Sequence, residues 1–278
     1  MRFKYLGTAA GEGIPAVLCD CDICRKSRER GGRNLRARSQ ALIDDVLLID
    51  MPPETYSNFH RYGIRLLDIR YWLITHTHSD HFYPTELQFT RNGNFAHHAD
   101  DWHGIDLYGS VDLQEPLSAV VCEPEHQAYM RYHPREAFVP FVCGEYRITP
   151  LKANHGTDNP FIYLIEKEGK AVLYAHDTGL PTEETAAYLK GCGVKLDLVS
   201  FDCTAGSRME YHYPMHLCLG WCIRFRDLLK QWGMADGQTT FVLNHFSHNG
   251  TDVMYEEFWP IAKSFGFLTS YDGMEIDV

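Results

Sequence analysis

The sequence has 278 residues, of which 45% are hydrophobic, and a formal net charge of −11 at pH 7. A chain of this length and composition can bury a full hydrophobic core, and we expect one domain spanning residues 1–278. The acidic balance argues against broad binding to nucleic acid or to anionic membranes. No run reaches the roughly 18 apolar residues that a membrane helix needs.

Nine cysteines, without an evident amino-terminal signal region, indicate reduced thiols rather than a disulfide framework. We therefore expect a cytoplasmic protein. Fifteen histidines are the more informative excess, because histidine is the commonest metal ligand.

The first half of the chain begins with a predicted strand at 3–6 and a glycine-rich loop at 7–15. The glycines do not match a dinucleotide-binding fingerprint, so we interpret them as turn residues. The apolar runs 41–43 and 46–49 predict a hairpin, and 71–74 predicts a strand. Helices are predicted at 54–62 and 84–89. Residues 91–106 predict a surface or lid loop whose acidic and histidine side chains are further candidate ligands: His97, His98, Asp100, Asp101 and His103.

The second half alternates strands with helices. A helix broken by two prolines is predicted within 112–132, and helices at 182–190, 216–232 and 251–264. Thr182 is the expected N-terminal cap of the helix 182–190. Strands are predicted at 138–142, 146–152, 161–165, 171–175, 196–201 and 239–243, with extended runs around Asp272 at the end.

Cys19, Cys21 and Cys24 form a Cys-x-Cys-x-x-Cys array. Three thiolates at this spacing can converge on one ion at about 2.3 Å each, although no fourth ligand is close in sequence. The alternative is that they are reduced core residues. The basic run 25–38 that follows is interpreted as a solvated helix and loop, with Arg38 as the best candidate for a phosphate contact.

Seven metal-competent side chains each follow a predicted strand. Four lie in the segment 75–81, and the others come after three later strands. Loops at strand ends are where an α/β scaffold usually holds its chemistry. A single histidine there is more often a packing residue, but so many clustered polar groups near a core favour a metal site. The seven are His76, His78, Asp80, His81, His155, Asp177 and His245.

This pattern resembles the metallo-β-lactamase-fold hydrolases, whose signature is His-x-His-x-Asp-His followed by a later His, Asp and His. The resemblance implies an α/β fold, an αββα sandwich of two central, mostly antiparallel sheets with helices on the outer faces. It also implies two divalent cations, zinc, manganese or iron, about 3.5–4 Å apart. By position, the first metal would be held by His76, His78 and His155, the second by Asp80, His81 and His245, with Asp177 as the bridge.

Within that superfamily the chain looks most like the PhnP-type phosphodiesterases of carbon–phosphorus lyase pathways, which act on phosphoribosyl cyclic phosphate. The resemblance rests on the opening Leu-Gly-Thr at 6–8, the cysteine array, His245-x-x-His248 and the closing run 271–276. In that family the cysteines and the second histidine form a structural zinc site, so His248 would be the fourth ligand. In an extended chain His245 and His248 point to opposite faces, which agrees with one serving each site.

The predicted activity is metal-dependent hydrolysis of a small cyclic phosphodiester such as phosphoribosyl 1,2-cyclic phosphate. Asp80 and His216 are the predicted catalytic residues. His216 would protonate the leaving alkoxide, because it aligns with a non-ligand histidine of the family and stands at a loop–helix start. His212 is the alternative acid. Asp50 resembles an aspartate of the family that is usually structural or supports a ligand.

Other activities share these ligands. A ribonuclease-Z-like or cyclic-nucleotide phosphodiesterase, a thioesterase and a lactonase are alternatives, as is an iron-dependent oxidative enzyme like the pyrroloquinoline-quinone biosynthesis B proteins. The complete ligand set favours hydrolysis. The expected partner is a small phosphorylated substrate, without membrane or nucleic acid, and dimers are common in the resembling family. Residues 82–84 and the loop 91–106 depart from the family pattern where we expect substrate to enter, which leaves the cyclic ribose phosphate open.

Overall fold

A computed structural model describes residues 1–278 and contains fourteen strands and seven α-helices. The strands are β1 (Arg2–Gly7), β2 (Gln40–Ile43), β3 (Leu47–Ile49), β4 (Tyr71–Leu73), β5 (Ile105–Gly109), β6 (Met130–Pro134), β7 (Phe141–Cys143), β8 (Tyr146–Lys152), β9 (Phe161–Lys167), β10 (Lys170–Ala175), β11 (Leu198–Asp202), β12 (Thr240–Asn244), β13 (Leu268–Thr269) and β14 (Glu275–Asp277). The helices are α1 (Asp22–Arg30), α2 (Thr55–Tyr62), α3 (Gln114–Ser118), α4 (Pro124–Tyr129), α5 (Glu183–Gly191), α6 (Leu219–Gln231) and α7 (Tyr255–Ser264). None of these helices has the length and apolar run needed to cross a bilayer.

The strands form two seven-stranded sheets. The first has the order β14-β1-β2-β3-β4-β5-β6 and the second the order β13-β12-β11-β10-β9-β8-β7. Three neighbouring pairs in each sheet are antiparallel and three are parallel. The sheets are therefore mixed, and the expectation of mostly antiparallel sheets was wrong in this respect.

Three hydrophobic clusters define four layers. Leu73 belongs to the cluster between the two sheets, whereas its neighbour Trp72 belongs to the cluster under α2 and α3. Successive side chains of a strand point to opposite faces, so β4 is apolar on both faces and contributes to two clusters. The third cluster joins the second sheet to Leu189 of α5, Phe225 of α6 and Phe258 of α7. The predicted αββα sandwich is confirmed.

Two strands lie where the sequence predicted other structure. β5 begins inside the predicted loop 91–106, and β6 replaces the end of the helix predicted within 112–132. β6 is an edge strand that pairs only with β5, and its Arg131 and His133 both contact Asp106 across that pair. A polar edge strand lacks the apolar run of a buried one, so its local pattern did not identify it. The cap of α5 is confirmed, since Thr182 accepts a hydrogen bond from the Thr185 amide.

The directions of the strands place the later site at one edge of the sandwich. β3 and β4 run parallel in the first sheet, and β10, β11 and β12 run parallel in the second. β8 shares the direction of β10, because both are antiparallel to β9. The carboxyl ends of these strands therefore lie at a common edge of each sheet, and the residues that follow them meet there.

Candidate metal centre

The first ligand group consists of three histidines from two strand ends. His76 and His78 follow β4, and His155 follows β8. His78 Nδ1 lies 3.0 Å from His76 Nε2 and 3.2 Å from His155 Nε2. Three nitrogens that share a tetrahedral zinc at about 2.0–2.1 Å would lie about 3.3 Å apart. The distances therefore fit a common cation between the rings.

The second ligand group lies beside the first, and Asp177 contacts residues of both. Asp177, which follows β10, places Oδ2 2.5 Å from His81 Nε2 and 3.5 Å from His76 Nε2, while its Oδ1 lies 3.3 Å from His245 Nε2. Asp80 Oδ2 is 3.2 Å from His81 Nε2. Burial opposes ionisation, but His245 and His81 hold the pKa of Asp177 well below its usual range, so a charged carboxylate faces both groups.

The outer nitrogens of the buried histidines are fixed by hydrogen bonds. His81 Nδ1 donates to Asp50 Oδ2 at 2.7 Å, and His245 Nδ1 donates to Thr204 Oγ1 at 2.9 Å. His76 Nδ1 donates to Thr75 Oγ1 at 3.0 Å, because that hydroxyl itself donates to Asp50. Contacts of this kind set the tautomer and orient the ring of a metal ligand.

The inner nitrogens carry the strongest indication of a metal. His81 Nε2 and His245 Nε2 are buried, and because each ring donates from Nδ1, each Nε2 turns a lone pair toward the Asp177 carboxylate, at 2.5 Å and 3.3 Å, without a hydrogen bond. A buried polar atom without a partner is costly, and a lone pair aimed at a cation removes that cost. The residues present therefore fit divalent metal ions. We call the whole set the strand-end group: His76, His78, Asp80, His81, His155, Asp177 and His245.

Three of the residues at this edge have a left-handed backbone. Asp50 has φ of 67°, Asp177 of 48° and His245 of 60°. Each immediately follows the strand end or lies within two residues of it, so this conformation ends the strand and turns the side chain toward the centre. Left-handed φ is uncommon for residues other than glycine and is found at functional sites.

A third cluster is formed by the predicted structural zinc ligands. His248 Nδ1 lies 3.6 Å from Cys19 Sγ and 3.3 Å from Cys21 Sγ, near the about 3.6 Å between sulfur and nitrogen ligands of one tetrahedral zinc. Burial opposes the thiolate, but the contact with His248 lowers the pKa of Cys21 to about 6, whereas burial raises that of Cys24 to about 11. We call these residues the thiolate group: Cys19, Cys21, Cys24 and His248.

His245 and His248 lie in different groups, as predicted, but for a different reason. In an extended chain, alternation alone would separate the two side chains. In the structure His245 has positive φ and His248 lies in a turn, so the change of direction between them comes from this bend rather than from strand alternation.

His216 lies beside the second ligand group. Its Nδ1 is 2.8 Å from Asp202 Oδ2 and 3.4 Å from Asp177 Oδ1. Burial opposes the imidazolium, but Asp202 and Asp177 outweigh it and raise the pKa of His216 to about 9. A cation on Asp177 would act against this shift by repulsion. Together with His245, these residues also form a fourth group of the size that holds a metal.

Asp202 is a site residue that sequence reasoning missed. It is fully buried, ends β11, and accepts hydrogen bonds from the amides of Thr204 and Leu217 as well as facing His216. The signal was available, because Asp202 stands at a strand end like the seven predicted ligands.

The segment before His216 is the part of the chain that approaches the metal groups from outside. The Tyr213 ring stacks on the His216 ring at 5.8 Å and is 44% exposed. Asn154 Nδ2 donates to the Pro214 carbonyl and ties the segment to the loop that carries His155. His212 is exposed and belongs to none of the metal-competent groups, so the structure brings His216, and not His212, to the site.

The loop 91–106 lies elsewhere than we expected. Its histidines and aspartates belong to none of the metal-competent groups. Residues 99 and 101–103 line a cavity of about 740 Å³ together with Tyr71, the first residue of β4. His76 follows the other end of that strand. Residues 99 and 101–103 therefore lie toward the opposite end of β4 from His76, which argues against a place for this part of the loop at the substrate entrance.

The basic run 25–38 is only partly solvated. Arg36 is buried, and its guanidinium stacks on Phe246 at 4.4 Å. Arg38 donates to the Gly11 carbonyl at 2.6 Å and pairs with Glu54. Arg38 is thus committed to protein partners, which argues against the phosphate contact suggested by the sequence.

A two-sheet sandwich with ligand groups at the carboxyl ends of its strands defines the metal-dependent hydrolases of the metallo-β-lactamase fold. Residues 47–246 match the family model described as the beta-lactamase superfamily domain, which covers more than half of the chain. The protein belongs to this family.

Similar solved structures agree with the fold. A diphosphatase from the PhnP family is 20% identical with a TM-score of 0.69, covering 100% of this chain and 97% of that one. Zinc-bound PqqB from Methylobacterium extorquens is 17% identical with a TM-score of 0.75, and both chains are covered completely. Human tRNase Z, short form, is 16% identical with a TM-score of 0.66, covering 100% of this chain and 99% of the other.

A curated relative is an octanoyltransferase from Porphyromonas gingivalis, 25% identical over 285 residues. The match covers 99% of this chain and 51% of the relative. The chain therefore spans about half the length of the curated relative that it matches.

Proposed function

We propose that the protein is a dinuclear-metal phosphodiesterase that hydrolyses a small cyclic phosphodiester, such as phosphoribosyl 1,2-cyclic phosphate. The observation that carries this proposal is the position of Asp177: its Oδ2 lies between His81 at 2.5 Å and His76 of the first ligand group at 3.5 Å, and its Oδ1 lies 3.3 Å from His245. A carboxylate placed in this way can offer one oxygen to each of two cations. Paired cations are typical of enzymes that cleave phosphate esters.

The choice of a PhnP-like substrate has further support. The resemblance in sequence implied a zinc site made of the cysteine array and His248, and these side chains lie together. The solved PhnP-family diphosphatase has the same fold over the whole chain. The strand-end group alone is compatible with several ester substrates, so the substrate is the part of the proposal that most needs measurement.

The residues of the chain would divide the work as follows. Bound divalent cations would lower the pKa of an attacking water and neutralise charge on the phosphate. The hydrogen bonds that His81, His76 and His245 donate to Asp50, Thr75 and Thr204 hold the ligand rings in place. His78 is exposed, which leaves an approach from solvent. His216, held by Asp202, would give its proton to the leaving alkoxide, a step that contributes on the order of 10²–10⁴-fold.

A substrate panel tests this proposal. The metal-loaded protein is offered phosphoribosyl 1,2-cyclic phosphate, cyclic nucleotides, bis(nitrophenyl) phosphate and a precursor tRNA. We expect the cyclic ribose phosphate to be opened with the highest kcat/KM, detected as phosphate released when a phosphatase is added afterwards. Faster turnover of the tRNA would contradict the proposal in favour of an RNA substrate, and iron-dependent oxygen uptake without hydrolysis would favour an oxidative enzyme.

The panel also includes an octanoyl thioester. The curated relative is named an octanoyltransferase, and thioesterases can share the ligand set found here. Thioester cleavage with a higher kcat/KM than any phosphodiester would move the protein to carbon-ester chemistry. A matched Asp177→Asn variant shows whether any observed cleavage depends on the metal ligands.

A further inference from the structure

One short segment of the glycine-rich loop runs between the strand-end group and the thiolate group. At one end, the Ala16 amide donates to Cys24 Sγ at 3.3 Å. At the other end, two backbone hydrogen bonds join it to the residue after His245, because Ala10 donates to the Phe246 carbonyl and Phe246 donates to the Thr8 carbonyl. Residues 8–16 therefore contact both groups within a few residues of chain.

Gly11 lies directly against a residue of the strand-end group. A Cβ added to Gly11 would be 2.9 Å from Asp80 Oδ2 and 3.2 Å from Asp80 Cγ. Gly11 lies in a turn, as interpreted from the sequence, but its φ is not positive, so the requirement for glycine comes from this close approach. Arg38 holds the Gly11 carbonyl from the other side, which limits how far the backbone can retreat.

Glu12, the next residue, faces the thiolate group. Its Oε1 lies 3.6 Å from His248 Nε2, accepts a hydrogen bond from Ser247 Oγ, and accepts another from Asn249 Nδ2, which lies 3.3 Å from the same His248 nitrogen. The opposite nitrogen of the same ring, Nδ1, faces Cys19 and Cys21. A carboxylate behind a ligand histidine fixes the ring so that the other nitrogen points at the metal.

We propose that Gly11 and Glu12 are positioning residues that couple metal binding at the two groups. An ion in the thiolate group orders His248 and so Glu12, and the adjoining Gly11 then leaves the Asp80 carboxylate in its ligand position. Metal in one group tightens binding in the other, and by linkage the effect is reciprocal. This inference rests on the metal-binding part of the proposed function and is independent of the substrate.

Cobalt binding to the full chain tests the role of Gly11 at the strand-end group and of Glu12 at the thiolate group. The thiolate group gives a sulfur-to-cobalt charge-transfer band, and the strand-end group gives ligand-field bands only. We expect Gly11→Ala to weaken cobalt binding at the strand-end group about 10–100-fold while the charge-transfer band remains. Gly237→Ala is the matched control, because its added Cβ meets nothing within 4 Å and its φ is not positive. Equal binding by the two variants would overturn the role of Gly11.

Glu12 is tested in the same way. We expect Glu12→Ala to weaken the charge-transfer site about 10–100-fold and Glu12→Gln to retain most of the affinity, because the amide oxygen still accepts a hydrogen bond. Equal affinity in Glu12→Ala and the unchanged protein would overturn its role.

The coupling itself needs no substitution. Cobalt affinity at the strand-end group is compared between apo-protein and protein that holds one equivalent of zinc in the thiolate group. We expect about 10-fold tighter binding in the second case, and identical affinities would refute the coupling. If coupling is present but no phosphodiester is cleaved, the proposed function fails and this inference stands.

Discussion

The strand-end group and the thiolate group achieve their geometry by different means. In the strand-end group, the ends of four strands supply the ligands, and hydrogen bonds to Asp50, Thr75 and Thr204 hold three of the rings. In the thiolate group, three ligands come from one six-residue run and the fourth from a turn after β12, and only Cys24 is buried. The fold itself places the first group, whereas loops form the second. We therefore expect loss of metal from the strand-end group to abolish activity, and loss of metal from the thiolate group to disorder the surrounding loops.

The largest effect is expected from Asp177→Ala. Loss of a hydrogen-bond partner behind a ligand lowers metal affinity up to about 10²-fold, and removal of the shared carboxylate should lower it further. Phosphodiester hydrolysis should therefore fall to background. Metal analysis should show loss of the strand-end ions and retention of the thiolate-bound ion. Intact metal content with unchanged hydrolysis would show that Asp177 is not a bridge.

His216→Ala tests the proton donor within the strand-end region. We expect hydrolysis of substrates with an alkoxide leaving group to fall about 10²–10⁴-fold and hydrolysis of nitrophenyl esters to fall much less, because nitrophenolate leaves without a proton. Metal content should not change. His212→Ala is the control and should match the unchanged protein, while equal loss on both substrate types would refute the acid role of His216.

Cys24→Ser distinguishes the two regions by stability. Loss of the thiolate-bound ion should lower the free energy of unfolding by about 2–4 kcal/mol when the metal exceeds its dissociation constant by 10²- to 10³-fold. Urea unfolding of the metal-loaded protein measures this difference. The same linkage applies to the strand-end ions, so Asp177→Ala is measured beside it; an unchanged free energy of unfolding in Cys24→Ser would refute a stabilising thiolate-bound ion.

Asp50→Asn probes the support of the strand-end ligands. Asp50 is fully buried and accepts hydrogen bonds from His81 Nδ1 and from the amide and hydroxyl of Thr75. We expect metal affinity at the strand-end group to fall about 10–100-fold, with the thiolate group unaffected. Metal titration followed by analysis of each site makes the measurement, and an equal loss at both groups would indicate general unfolding instead.

No effect is expected from the histidines of the loop 91–106. His97→Ala, His98→Ala and His103→Ala should leave metal content and hydrolysis unchanged, because these side chains belong to neither group. His98 packs between Trp102 and Tyr129, so we expect only its variant to lose stability. Loss of one ion in any of the three would reveal a metal site apart from both groups.

The sequence predicted the layers of the fold and the composition of both groups well. Residues that follow strands at one edge must meet, so the placement of His76, His155, Asp177 and His245 followed from the strand pattern alone. The spacing of the cysteine array indicates a metal site, but its fourth ligand was predicted only from the resemblance. His248 is more than 220 residues away along the chain, and no local pattern connects it to the cysteines.

Other features depended on contacts that a local pattern does not contain. The loop 91–106 is rich in histidine, but its position is set by packing near the start of β4. Gly11 resembles any loop glycine until the structure brings Asp80 against it. Asp202 has no counterpart in the ligand signature, so only its position at a strand end marks it in the sequence.

The left-handed backbone at Asp50, Asp177 and His245 has a consequence for how this protein can change. A residue with a Cβ pays about 1–2 kcal/mol for that conformation, and glycine escapes most of this cost. At Asp50 the hydrogen bonds accepted from His81 and Thr75 outweigh this cost, but at Asp177 selection for stability of the metal-free protein alone would favour glycine or asparagine. A library screened only for heat resistance of the metal-free protein should recover Asp177→Gly ahead of Asp177→Ala, and such survivors would be more durable and inactive.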